Sequence, residues 1–210
     1  MITLQANDLK ACGYTSLALG KWHLGQQPQY LPTARGFDAF LGLPFSVDDG
    51  LGIVIPATCP TPPSTDNYSS STPSANAGLE PTPHQLHSGS SLGPSLPLPL
   101  IRQNLATAES VIVEQPTNLR LLNQRLTDAA INFTTAHKDV PFFVYFAFGH
   151  VHTATPNVDP DSNPYGGKQY ARCSSYGISR RGLFGDALAE VDSAVDQLVV
   201  SISSLSLILT

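Results

Sequence analysis

Apolar and polar positions follow two periods along the chain. A short apolar run at residues 15–19, Thr15-Ser16-Leu17-Ala18-Leu19, reads as a buried strand, preceded by the end of a helix over 4–10 with Gly13 as its stop. Residues 141–148 form an almost wholly apolar run, the pattern of a central parallel strand covered on both faces. Between these runs, Leu119, Leu122, Leu126, Ala129, Ala130 and Phe133 recur at helical spacing after Pro116 and Thr117. Leu183, Ala187, Val191, Ala194, Val195, Leu198 and Ile202 repeat that spacing and predict a second amphipathic helix. Its Glu190 and Asp192 carboxylates are expected on the wet face, and residues 205–210 read as another strand beginning. Alternating strands and helices argue for an α/β fold with a largely parallel sheet flanked by helices.

Two stretches break the pattern. Residues 26–50 are punctuated by Pro32, Gly36, Gly42 and Pro44 and read as loop-rich, with Asp48-Asp49-Gly50 as a solvated turn. From 56 to 99 the composition shifts to Pro, Ser, Thr and Gly, which cannot bury enough apolar surface to offset ordering entropy. Such a segment fits a surface insertion, and equally translated non-coding sequence from a faulty gene model. Order is expected to resume at 111–116. The organisation is therefore 1–55, an irregular insertion at 56–99, and 100–210 continuing the first part.

A length of 210 residues with 41% apolar content suffices for one domain with a sizeable core. The net charge of −5 gives no electrostatic case for nucleic acid, although a local basic site for an anion is compatible with it. No apolar stretch is long enough to span a bilayer, and the first eight residues lack the regions of a signal peptide. Three cysteines, Cys12, Cys59 and Cys173, without a C-x-x-C, give neither a zinc site nor a disulfide framework. Asn67-Tyr68-Ser69 and Asn132-Phe133-Thr134 are glycosylation acceptor triplets.

The chemistry concentrates where the two strands end. Lys21 and His23 follow the first, within Gly20-Lys21-Trp22-His23-Leu24-Gly25, and His150 and His152 follow the second. Parallel strands place both clusters on one sheet edge, where open α/β sheets build their sites. Lysine offers a compact charge with three donors, and histidine exchanges protons near neutral pH. Trp22 reads as core packing rather than a substrate platform, and Arg180-Arg181 as a solvated loop pair.

The stretch Gly13 to Gly25 resembles the sulfatase family. So does Pro32-Thr33-Ala34-Arg35-Gly36-Phe37-Asp38-Ala39-Phe40-Leu41-Gly42, which runs on into Gly42-Leu43-Pro44-Phe45-Ser46 as in arylsulfatases of the A type. Further blocks are Pro141-Phe142-Phe143-Val144-Tyr145-Phe146-Ala147-Phe148-Gly149-His150-Val151-His152 and Gly182-Leu183-Phe184-Gly185-Asp186. The resemblance implies a partial alkaline-phosphatase-like sulfatase domain hydrolysing sulfate esters of small molecules, glycans or lipids. It implies that Lys21 contacts the sulfate, His23 serves the nucleophile, Ser46 contacts substrate and His152 stands beside the leaving group. His150 is then second-shell or structural. Lysosomal or secreted localisation is implied in the same way.

Family sulfatases use a formylglycine made within C/S-x-P-S-R, and a calcium ion held by Asp-Asp and Asp-Asn pairs. Neither the motif nor these ligands occur in the 210 residues, so no metal ligand is assigned, and the chain is expected to be an internal fragment. Asp48-Asp49 stands after the Gly-Lys-Trp-His block, whereas the family pair stands before it. Two other readings stay open. One is a catalytically inactive sulfated-ligand-binding or structural homologue, made credible by the missing nucleophile. The other is a related phosphoryl-transfer hydrolase, against which the Gly-Lys-Trp-His-Leu-Gly block argues.

Overall fold

The computed structural model describes residues 5–47, 97–149, 151, 179 and 182–205. Asp48-Asp49-Gly50, most of the expected 56–99 insertion, nearly all of the loop after 149 and the expected strand start at 206–210 lie outside the described residues.

Helix α1 (Gln5–Ala11) ends at Gly13, whose φ of +85° lets its N–H turn back to the Lys10 carbonyl at 3.0 Å. Five strands follow: β1 (Thr15–Lys21), β2 (Ala39–Leu43), β3 (Leu100–Asn104), β4 (Glu109–Glu114) and, after helix α2 (Leu119–Ala136), β5 (Phe142–Ala147). Helix α3 (Gly182–Ser204) closes the described chain. The sheet order is β4-β3-β2-β1-β5, with β1 parallel to both neighbours and the β3–β4 hairpin antiparallel. The expected parallel character thus holds in the β2-β1-β5 half.

Alternation along the strands separates two cores. Leu17, Leu19 and Leu43 meet Leu119, Leu122, Leu126 and Ala130 of α2 on one face. Ala18, Trp22 and Phe40 meet Ala6, Leu31 and Phe37 on the other. Truncating a fully buried leucine such as Leu19 to alanine costs about 2–5 kcal/mol, so the alternation alone fixes the register. Helix α3 packs on α2, where the Asn123 side-chain amide donates to the Glu190 carbonyl at 3.4 Å.

Three expectations change. The stretch read as loop-rich holds β2, a short apolar run hidden between Asp38 and Pro44. Among the described strands β5 is last in the order and mostly half-buried, whereas β1 has a parallel neighbour on each side. An apolar run shows that few polar positions interrupt a strand, not how many neighbours flank it. Finally, Glu190 is buried while Asp192 is exposed. Helical spacing puts Glu190 in line with buried Ala187 and Ala194, on the face turned to α2.

At the amino end of the parallel strands, Asp38 ties four elements together. Its carboxylate accepts from Lys10 Nζ of α1 at 2.6 Å, and from the Ser16 N–H and hydroxyl of β1 at 2.9 and 3.1 Å. Its carbonyl accepts from the Leu105 N–H just past β3 at 2.8 Å. Burial pushes the Asp38 carboxyl up, but the Lys10 and Ser16 hydrogen bonds and the lysine charge outweigh it, leaving the pKa below its ordinary 3.8.

A carboxylate with a lowered folded pKa adds stability above its unfolded pKa and loses it as pH falls through the folded value. Asp38→Asn should therefore destabilise at pH 7 by about 1–2 kcal/mol, discounted for partial exposure, with the difference closing below about pH 4. Urea unfolding of both proteins at pH 7 and pH 3 measures it, and an equal deficit at both would refute the ionic role. At the opposite end, a Cβ on Gly20, whose φ is +87°, would collide with the Ala147 carbonyl oxygen of β5. Gly20→Ala should cost roughly 2–5 kcal/mol in the same assay, from backbone strain plus overpacking.

Candidate active site

At the carboxyl edge of the parallel strands, two backbone positions leave no room for a side chain. Gly20 of β1 stands in register with Gly42 of β2 and Ala147 of β5. A Cβ on Gly42 would run into the Gly20 carbonyl, as one on Gly20 would into that of Ala147. Glycine is what admits this approach. β1 consequently runs through to Lys21, two residues past the apolar run that predicts it.

Pairing with the β2 chain continues beyond the strand. The Trp22 N–H donates to the Leu43 carbonyl at 2.9 Å and the His23 N–H to the Pro44 carbonyl at 3.2 Å. Lys21 and His23 are thereby fixed at the same edge, Lys21 half-buried and His23 exposed. His23 has φ +53°, a left-handed conformation that costs a residue with a Cβ about 1–2 kcal/mol. Such strain gathers at sites that need one particular geometry.

Ser46 lies just beyond β2 on the same edge. It is 1% exposed, and its Oγ has no hydrogen-bond partner among the described residues. A hydroxyl left without a partner in a dry place costs about 1–3 kcal/mol, unless something else meets it. Lys21, His23 and Ser46 are thus brought to one edge. His150 and His152 lie outside the described residues, but β5 ends at Ala147 opposite Gly20, so the chain leaves that strand at this same edge.

Trp22 points the other way. It is 6% exposed, meets Phe37 edge-on at 6.0 Å and donates its indole N–H to the Tyr30 carbonyl at 2.8 Å. Asp38, which carries the amino-end bracket, has no place among the residues singled out from the sequence. An acidic residue immediately before an apolar run, after Gly36-Phe37, was the available signal. Asn132 is exposed on α2, whereas Thr134 of the same triplet is buried with its hydroxyl donating to the Ile131 carbonyl at 3.1 Å. Asn67, Cys59, Cys173 and Arg180-Arg181 lie outside the described residues, and Cys12 is a free, exposed thiol.

The donors at this edge are an ammonium, an imidazole and a hydroxyl, which suit an anion. Calcium needs six or more oxygens, mostly carboxylate. Among the described residues no cluster of three or more His, Cys, Asp or Glu could hold a metal ion. The described edge does not fit calcium.

The chain is 33% identical over 202 residues to human arylsulfatase G and 32% identical over 207 residues to bovine arylsulfatase A. These alignments take in 93% and 97% of the chain, but only 31% and 32% of the relatives' own length. The chain thus spans about a third of each. Among solved structures, the PsFucS1 sulfatase from Pseudoalteromonas sp. superposes with a TM-score of 0.62 at 21% identity, covering 96% of this chain and 34% of that one. That likeness bears out the expected sulfatase fold of the alkaline-phosphatase-like kind. The family profile described as Sulfatase matches residues 6–205, so the chain belongs to the sulfatase family.

Proposed function

We propose that the chain forms part of a sulfuric ester hydrolase of arylsulfatase type, supplying the cationic side of its sulfate site. The observation that supports this most directly is the carboxyl edge: Lys21 and His23 beside Ser46, whose buried hydroxyl lacks a partner among the described residues. In this reading Lys21 binds a sulfate oxygen and Ser46 donates to another. His23 holds a proton for the attacking oxygen, and His152 serves the departing alcohol or phenol, with His150 behind it. As the S–O bond breaks, negative charge builds on the leaving oxygen, and fixed donors at that place lower the barrier.

The substrate class is a sulfated small molecule, glycan or lipid. The nucleophile, formylglycine, and a calcium site would come from residues other than these 210. We place the protein in a lysosomal or secreted setting, with Asn67 and Asn132 as glycosylation acceptors. No helix among the described residues is long and apolar enough to cross a membrane. Residues 56–99 are assigned as an insertion between the two sulfatase segments, 1–55 and 100–210.

Sulfate binding by the chain tests the reading without requiring turnover. Two or three charge-assisted hydrogen bonds in a partly wet site predict a Kd on the order of millimolar for inorganic sulfate. Trp22, the sole tryptophan, stands between Lys21 and His23 and reports occupancy by its fluorescence. Lys21→Ala should abolish the response. In the complete enzyme the same change should lower kcat/KM by about 10²–10³, the scale of losing one preorganised donor. A sulfate response that survives Lys21→Ala would overturn the assignment.

A further inference from the structure

Lys21 and His23 flank a residue that never faces the anion. We infer that Trp22 is the positioning residue of this site: its indole N–H, bonded to the Tyr30 carbonyl, holds the Lys21–His23 backbone in the conformation that presents both side chains. The inference rests on the reading of that edge as an anion site and extends it to the group that shapes it.

Three observations converge. The Trp22 indole is anchored by the 2.8 Å bond to the Tyr30 carbonyl and by its edge-on contact with Phe37. The backbone on either side of the Trp22 α-carbon is held by the Leu43 and Pro44 carbonyls at 2.9 and 3.2 Å. Immediately after it, His23 occupies its left-handed conformation, which the chain would relax unless the neighbouring peptide were clamped. A peptide gripped by the β2 side through its N–H groups and by the 22–30 loop through an indole cannot make that rotation without breaking one grip. At the other end, Tyr30 closes the 3-10 turn Pro28–Tyr30, its N–H donating to the Gln27 carbonyl at 2.8 Å.

Simple core packing makes a different prediction. An indole that only filled space would, on losing its N–H, weaken all buried amides alike. A strut would loosen His23 ahead of the sheet.

Because Trp22 is the only tryptophan, biosynthetic incorporation of 3-benzothienylalanine replaces one N–H with sulfur at this position alone. Incorporation of 5-fluorotryptophan keeps the donor and serves as the control. Amide hydrogen exchange of His23 is measured relative to Leu19 in the middle of β1. The benzothienyl protein should show a His23-to-Leu19 exchange ratio raised roughly tenfold, the fluorinated protein an unchanged ratio. Sulfate affinity should fall at least roughly threefold in the first and not in the second. An unchanged ratio in the benzothienyl protein overturns the inference. Absence of sulfate binding in the unsubstituted protein would sink the anion reading, while the exchange ratio would still decide the strut. Should the benzothienyl protein fail to fold, the unsubstituted one decides: the Trp22 indole N–H and the His23 amide must exchange with matching protection. Free exchange at His23 beneath a protected indole would overturn the inference.

Discussion

Gly20, Gly42 and Ala147 stand in register across β1, β2 and β5, and the neighbouring backbones exclude side-chain atoms at both glycines. Everything at the carboxyl edge follows from that contact. It lets β1 pair through Lys21, and it carries the Trp22 and His23 N–H groups on to the Leu43 and Pro44 carbonyls.

The two cores reinforce this from either side. Leu17 and Leu19 are held from the α2 side, while Ala18 and Trp22 are held from the α1 side. β1 is therefore immobilised on both faces just where it delivers Lys21. A site that must oppose charge without reorganising gains from such rigidity, since donors that need not move lose nothing as charge shifts.

Much of this was legible in the residues. The period of α2 and α3 and the apolar runs of β1 and β5 are visible because each element is long enough, or pure enough, for its period to stand out. β2 is not, since five residues set among glycines and prolines carry too little alternation. β3 escapes for another reason: Arg102, Gln103 and Asn104 make it polar, and its strand identity comes from pairing with Phe40 and Leu41 far away in sequence. At the candidate site, the glycine bracket around Lys21 and His23 and the family likeness single out both residues, and the structure puts them on one edge. The grip on Trp22 was not legible, because its partner is the Tyr30 carbonyl, a group every residue carries. The place of Glu190 was misjudged because helical spacing shows which residues share a face, and only packing shows which face is covered.

Asp38 and Gly20 secure the same strands at opposite ends by different physics. One end is held by an ion pair and hydrogen bonds to a titratable carboxylate, the other by excluded volume, which has no proton to gain. The sheet therefore has a chemically sensitive end and an insensitive one. Strong acid should fray it from the α1 side, where Lys10 and Ser16 let go of Asp38. The spacing of the strands beneath Lys21 and His23 would be the last thing to change.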